Sequence, residues 1–498
     1  MGGPADIADA STVAPPNLLA MADERYERDV RVGFDEFETA WIVSHRPPER
    51  SWRRREFRAA LDRDIARIDR LIGDQLNAIL HHPRFQMLEA SWRGIVFLLD
   101  ANRGSTNVRI RVLNVTWDEL YRDFDRAIEF DRSQMFQKIY DAEFDMPGGR
   151  PYGLLIGDYE VHHRRAKPHR GDDIATMRAM AQVAAAAFAP FLVGASPGFF
   201  EFDNFASMTS STNLTASFRG PEYASWHSLR EIDDARFIGL TLPHVLMRLP
   251  YVDDATRVDG FRFSETIVED SAYLWGNAVY AFASVAIHAF AESGWFTDIR
   301  GARRSGTSGG RVEGLPIPWF DTDREGLIPR FTTDVSLSDI QERELNEMGF
   351  IPLLNIRYTG ESAFYSNPSA QSPKVYGTAI ATANARVSSM LQYILCVSRF
   401  AHYIKMLARE RIGSFASPEE CEEALTLWLR TYCNSTDHAS PETMAKYPLR
   451  EASVQVREQP GRPGQYQCTI HLRPHSQADQ VVSEFRLVTM LPSCNRAA

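Results

Sequence analysis

Residues 174–198 read IATMRAMAQVAAAAFAPFLVGASPG, and this stretch decides the fold class. Ile174 to Ala189 is rich in Ala and Met, both strong helix formers, and reads as a helix. Pro190 closes it, and Phe191 to Val193 follows as a short apolar strand. The same alternation recurs on both sides. Val108 to Val115, Tyr152 to Ile156 and Arg236 to Leu242 are strand-like, whereas Trp117 to Ile128 and Leu274 to Ala291 are helical. Strands alternating with helices of this length specify an α/β body, a mixed sheet flanked by helices.

The quoted stretch ends on Gly194-Ala195-Ser196-Pro197-Gly198, a GxSxG match after an apolar strand, as in a hydrolase nucleophile elbow. In that elbow the residue after the serine donates its backbone N–H to the oxyanion, and Pro197 has none. A serine hydrolase using Ser196 is therefore the disfavoured alternative to a plain strand-to-turn loop. Histidines pair only as His81-His82 and His162-His163, and sequence neighbours point apart, unlike the HExxH spacing that converges on zinc. His82-Pro83 reads as a break between two helices, and His162-His163 as part of a polar loop. No GxxxxGK[ST] is present and no GxGxxG opens a helix, so nucleotide binding lacks a motif. Asp233-Asp234 and Asp253-Asp254 are ordinary surface-loop pairs. No catalytic residue, metal site or cofactor is expected.

Composition narrows the partners. The 498 residues are 44% hydrophobic and 24% charged, enough to bury a sizeable core in two or three domains. A net charge of -10 and a pI near 5.8 argue against nucleic acid or an anionic membrane surface, both of which need a dominant positive field. Five cysteines, Cys396, Cys421, Cys433, Cys468 and Cys494, contain no CxxC pair, consistent with a reducing cytoplasm. The first twenty residues carry no Lys or Arg and no continuous apolar core, so no secretory signal is expected. Tyr273 to Ala291 is uncharged, but Asn277, Ser284, His288 and its alanines make it a buried domain helix rather than a membrane span.

The ends of the chain have a different character from the middle. Up to about Ala20 it is rich in Ala, Pro, Ser and Gly without periodicity, which is tail composition. Within Asp29 to Ser44, Val30, Val32 and Phe34 alternate as a short strand. From Trp52 to Leu80, Phe57, Leu61, Ile65, Ile68 and Ile72 recur at helical spacing on an otherwise charged helix, a candidate partner helix. Gly301 to Gly314 reads as an exposed loop, and Thr378 to Glu410 as one long helix. Ser417 and Pro418 start another helix, with Glu419, Glu420, Glu422 and Glu423 near the positive end of its dipole. The chain finishes in strands Ser453 to Glu458, Tyr466 to Leu472 and Glu484 to Leu491, whose edges can accept or donate a strand.

Ordered segments resemble the large sheath subunit of type VI secretion systems, the TssC/VipB family. They are His81-His82-Pro83 through Glu89-Ala90-Ser91-Trp92-Arg93-Gly94, Trp226 to Glu231, Asp234 through Pro243, and Tyr273-Leu274-Trp275-Gly276-Asn277. Gly310 to Pro316, Leu345 to Pro352, Ala383 to Arg386 with Ser398 to Tyr403, and Ala445 to Ala452 continue the series. Two stretches depart from the family pattern: His162 to Asp173 is rich in Arg and His, and Gln477 to Ser483 is unusually polar.

The resemblance implies a structural subunit and not an enzyme. It implies a heterodimer with a small sheath subunit, polymerised with further copies around an inner tube of rings, anchored to a baseplate and dismantled by a hexameric ATPase. Four regions are expected: an N-terminal arm (1–54), partner-contact helices (55–100), an α/β body (101–375) and an inner-wall domain (376–498). Val30, Val32 and Phe34 are expected to lend a strand to a neighbour's sheet built from Val454, Val456, Cys468, Ile470 and Leu472. Phe57, Leu61, Ile65, Ile68 and Ile72 would contact the small subunit, and Glu419, Glu420, Glu422 and Glu423 would face the inner tube. A phage-tail-like scaffold outside secretion is the remaining alternative.

Overall fold

A computed structural model describes residues 54–166, 168–208, 214–253, 261–302, 309–318, 330–356, 359–410, 418–436, 439–458, 466–475 and 485–491. Val30, Val32 and Phe34 lie outside these residues. The chain divides into two units, Met1–Ile79 with Tyr251–Glu265, and the remainder. In the described part of the first, helix α1 (Arg54–Leu80) accompanies a hairpin-like return in which the Glu265 N–H donates to the Tyr251 carbonyl at 2.8 Å. His82, in extended conformation, precedes Pro83 at the first turn of α2 (Pro83–Ala101), the expected break.

The second unit is built on one sheet. Helix α3 (Trp117–Arg126) starts on a reciprocal capping box between Thr116 and Glu119. Then follow β1 (Leu155–Val161), α4 (Asp173–Ala187), β2 (Phe191–Ala195), α5 (Ala224–Glu231) and β3 (Ile238–Leu242). The hairpin partners β4 (Val245–Arg248) and β5 (Leu274–Gly276) come next, with α6 (Val279–Ser293), β6 (Arg311–Val312), α7 (Asp339–Glu347), β7 (Phe350–Ile356) and β8 (Glu361–Phe364). The sheet order is β1-β2-β3-β7-β8-β6, parallel through β7 and antiparallel beyond, so the fold is mixed α/β.

Two-residue periodicity assigns the faces. Phe191, Val193, Ile238, Leu240, Phe350 and Leu354 join the core under α4, whereas Leu192, Ile351 and Leu353 join the one around α6. Gly239 lies on the α6 face, where a Cβ would crowd the Leu192 side chain on the neighbouring strand, and its absence leaves room for that leucine. Helix α2 docks through Ala90, Gly94 and Leu98, and Glu89 pairs with the buried Arg248 at 2.8 Å.

Several elements differ from the sequence reading. Val108 to Val115 forms no strand; Val108, Ile110 and Val115 pack on the cores, but the backbone has no ladder partner. The helix expected over Leu274 to Ala291 begins only at Val279: Leu274 to Gly276 form β5, and Asn277 between them accepts the Val279 N–H on Oδ1 at 3.0 Å while its Nδ2 donates to the Tyr159 carbonyl at 2.8 Å. The long helix expected from Thr378 splits into α8 (Ala379–Ser388) and α9 (Leu391–Glu410), because Ser389 turns its carbonyl to the Ser369 N–H and Met390 bridges to Pro368. His162 and His163 are buried rather than set in a polar loop.

The chain closes with α10 (Pro418–Arg430) packed on a three-stranded antiparallel sheet, β9 (Leu449–Glu458), β10 (Tyr466–Pro474) and β11 (Phe485–Leu491), in the order β11-β10-β9. Cys421, Leu425 and Leu429 supply the helix side of that contact. His402 ties α9 to the body, its Nε2 lying 2.9 Å from the Ala187 carbonyl; burial pushes its pKa down to about 4, so it sits there as a neutral donor.

Candidate functional site

The terminal sheet places the five expected strand acceptors unequally. Cys468, Ile470 and Leu472 lie on the middle strand, β10, which pairs with β9 on one side (Cys468 with Val456, Ile470 with Val454) and β11 on the other (Cys468 with Thr489, Ile470 with Leu487). Their backbone groups are therefore already taken within the chain. All five side chains are buried in the main core. Among the described residues, the outer edge of β9 meets the Cys433 segment, through a bridge to Leu449, and the Glu422 carboxylate, so a further strand would have to lie beside β9 or β11.

The acidic helix start adjoins this edge. Glu419, Glu420 and Glu423 are exposed. Glu422 instead turns its carboxylate onto β9, where Oε2 accepts the Val456 N–H at 3.0 Å.

Two helices carry uncovered apolar stripes. On α1, Leu61, Ile65, Ile68 and Ile72 are exposed and Phe57 is half-buried; Leu71 and Ile79 extend the stripe. On α2, Phe85, Leu88, Trp92, Val96 and Leu99 are exposed on the side away from Ala90, Gly94 and Leu98. Their three- and four-residue steps are the spacing of a helix–helix seam. The sequence reading missed the α2 stripe, because Glu89 and Arg93 between its members obscure the spacing.

Comparison with known proteins shows which family the chain belongs to. The profile described as "EvpB/VC_A0108, tail sheath N-terminal domain" (VipB) matches residues 62–371, and the "tail sheath gpW/gp25-like domain" (VipB_2) matches residues 380–491. The chain belongs to the VipB tail sheath family. The "Type VI secretion system sheath protein TssC1" of Pseudomonas aeruginosa is 38% identical over 438 residues, covering 87% of this chain and 86% of that protein. One chain in the cryo-EM structure of the anti-feeding prophage baseplate is 11% identical with a TM-score of 0.35, over 76% of this chain and 82% of that one. This VipB-family chain is a structural sheath protein of type VI secretion.

Against that background the motif at Ser196 has a structural explanation. Gly194 leaves the space that Asn277 fills, and Ser196 Oγ accepts the Gly198 N–H at 3.2 Å, capping the short turn that follows. Among the described residues no hydrogen bond joins Ser196 to a histidine. No described helix is long and apolar enough to cross a membrane.

Histidines that the sequence keeps apart gather at the carboxyl ends of β1 and β3. His244 sits between Glu160 and Asp334, at 2.9 and 2.8 Å. Burial opposes its charge, but the two carboxylates prevail and push its pKa up to about 10. His162 and His169 both turn Nδ1 toward the buried Asp173. His163 points elsewhere, stacking on Tyr223 with centroids 4.3 Å apart, and burial lowers its pKa.

Proposed function

We propose that the chain pairs with a small sheath subunit in the bacterial cytoplasm, polymerises with further copies around an inner tube, and contracts to drive that tube outward. The family match across both sheath domains carries this reading. Residues 1–54 act as the arm, 55–100 as partner helices, 101–375 as the rigid body and 376–498 as the inner-wall domain. A baseplate anchors the polymer and a hexameric ATPase dismantles it, acting mainly through the small subunit.

Assembly works by lending backbone and apolar surface. Val30, Val32 and Phe34 add a strand to a neighbour's terminal sheet, held in place by the core under Val454, Val456, Cys468, Ile470 and Leu472. Phe57, Leu61, Ile65, Ile68 and Ile72 seat on the small subunit. Glu419, Glu420 and Glu423 face the inner tube, with Glu422 supporting the sheet behind them. A subunit contact that does not close into a ring generates an open helix, and two packings of the same rigid bodies store the work of contraction. The chain needs no catalytic residue of its own for this.

The test is coexpression with the small subunit followed by negative-stain microscopy. Hollow helical tubes are the expected product, and deletion of residues 1–44 should abolish them while leaving a soluble heterodimer. Normal tubes from the deleted chain would refute strand lending, and monodisperse particles with esterase activity from the intact chain would refute the sheath reading itself.

A further inference from the structure

The segment between β1 and α4 is rich in Arg and His, and the structure folds it around one carboxylate. Asp173, the first residue of α4, is 1% exposed. Its Oδ1 accepts the Trp117 Nε1–H at 2.8 Å and its Oδ2 accepts the His162 backbone N–H at 2.9 Å. Two imidazoles then converge on it: His162 Nδ1 lies 3.3 Å from Oδ2, and His169 Nδ1 lies 2.9 and 2.8 Å from Oδ1 and Oδ2. The rings are edge-on to each other, with centroids 5.6 Å apart, and the three donor groups lie within 4.8 Å of one another.

We infer that His162, His169 and Asp173 form a binding site for a divalent transition metal of the zinc class. Two neutral imidazoles and one carboxylate are the donor set such ions take, with the fourth position left to water or another oxygen. Donors about 2.0–2.1 Å from a tetrahedral ion stand roughly 3.3 Å from each other, which the His162–Asp173 distance of 3.3 Å already meets. His169 must withdraw by about half an ångström, and it is carried on a loop whose neighbours Arg164, Arg165 and Arg170 are exposed. The Trp117 and His162 N–H groups orient the carboxylate from behind, as outer-shell donors do in metal sites. The ion would staple the end of β1 and the following loop to the start of α4, and the site is independent of the sheath reading.

The experiment uses the purified full chain, stripped with a chelator and titrated with Co2+ by visible absorption and with Zn2+ by thermal shift. Saturation at one equivalent, with the d–d bands of a four-coordinate ion and a raised Tm, is expected. His169→Ala and His162→Gln should each abolish saturable binding, whereas His227→Ala, on α5, should retain it. Circular dichroism reports whether each variant is folded, and either ligand variant suffices if the other fails. Absence of saturable Co2+ and Zn2+ binding to the wild-type chain, or equal binding by a folded ligand variant, overturns the site and leaves a proton-sharing hub.

Discussion

The Glu422 carboxylate on α10 and the Val456 backbone on β9 are joined by a hydrogen bond of 3.0 Å. Val456 faces Cys468 across the β9–β10 ladder, yet its N–H goes to Glu422 rather than to β10, so that N–H belongs to the outer edge of the sheet. A carboxylate thus occupies a donor that an added strand would use. This is how natural sheets protect an open edge.

Glu422→Ala should therefore weaken the folded chain slightly while exposing its edge. The loss is about 1 kcal/mol, because the carboxylate is part-exposed and its removal leaves one amide to water. Self-association should increase, read by sedimentation velocity over a concentration series. An unchanged oligomer distribution would place strand addition at β11 instead.

Charges on the α2 stripe should separate folding from assembly. Leu88 and Trp92 are more than half exposed, so Leu88→Asp with Trp92→Asp should shift stability by no more than about 0.5 kcal/mol per site. Copurification with the small subunit and tube formation should fall sharply. Ile65→Asp with Ile68→Asp on α1 provides the matching test for the first stripe. Retained assembly in both variants would mean that these faces are covered by nothing the sheath requires.

The other face of α2 gives the opposite result. A methyl at Gly94 would run into the Tyr280 ring on α6, and Tyr280 is itself buried among core neighbours. Gly94→Ala is an overpacking change, expected to cost about 1–3 kcal/mol despite its better helix propensity. The denaturant midpoint should drop with an unchanged m-value.

Much of this architecture was legible because it is local. The run Ile174 to Val193 shows its helix and strand directly, and the observed α4 and β2 differ from it by two residues or fewer at each end. Strands β9 to β11 and the start of α10 followed from alternation and a proline at the first turn. What failed was non-local. Alternation in Val108 to Val115 reports a half-buried extended chain, but a strand also needs a neighbour with free backbone groups, and the pattern holds no information on that. Leu274 to Gly276 leave the expected helix because they pair with β4, nearly thirty residues earlier, and Asn277 is held there by the distant Tyr159 carbonyl. Glu422 read as one of four dipole-facing acids until β9 packed beside it. His162, His169 and Asp173 come from a strand end, a loop and a helix start, and the one local signal was the i, i+4 spacing of His169 and Asp173.

His244 gives the chain a pH signature on the alkaline side. It is held between Glu160 and Asp334, and their charges raise its pKa to about 10, against about 6.5 for an unfolded histidine. The two carboxylates respond differently: Glu160 is held below its usual range by the positive ring, whereas burial leaves Asp334 above its own. Because the folded state binds the His244 proton more tightly, its contribution is complete below about pH 6.5 and is lost as pH rises through about 10. His244→Ala should destabilise by about 2 kcal/mol near neutrality, since it strands the buried Asp334 carboxylate at the end of the parallel sheet while the part-exposed Glu160 can turn to water. The gap between wild type and variant, measured by urea unfolding, should narrow steadily from pH 7 to pH 10. A gap independent of pH over that range would show that His244 is neutral in the folded chain and serves only as a hydrogen-bonding spacer.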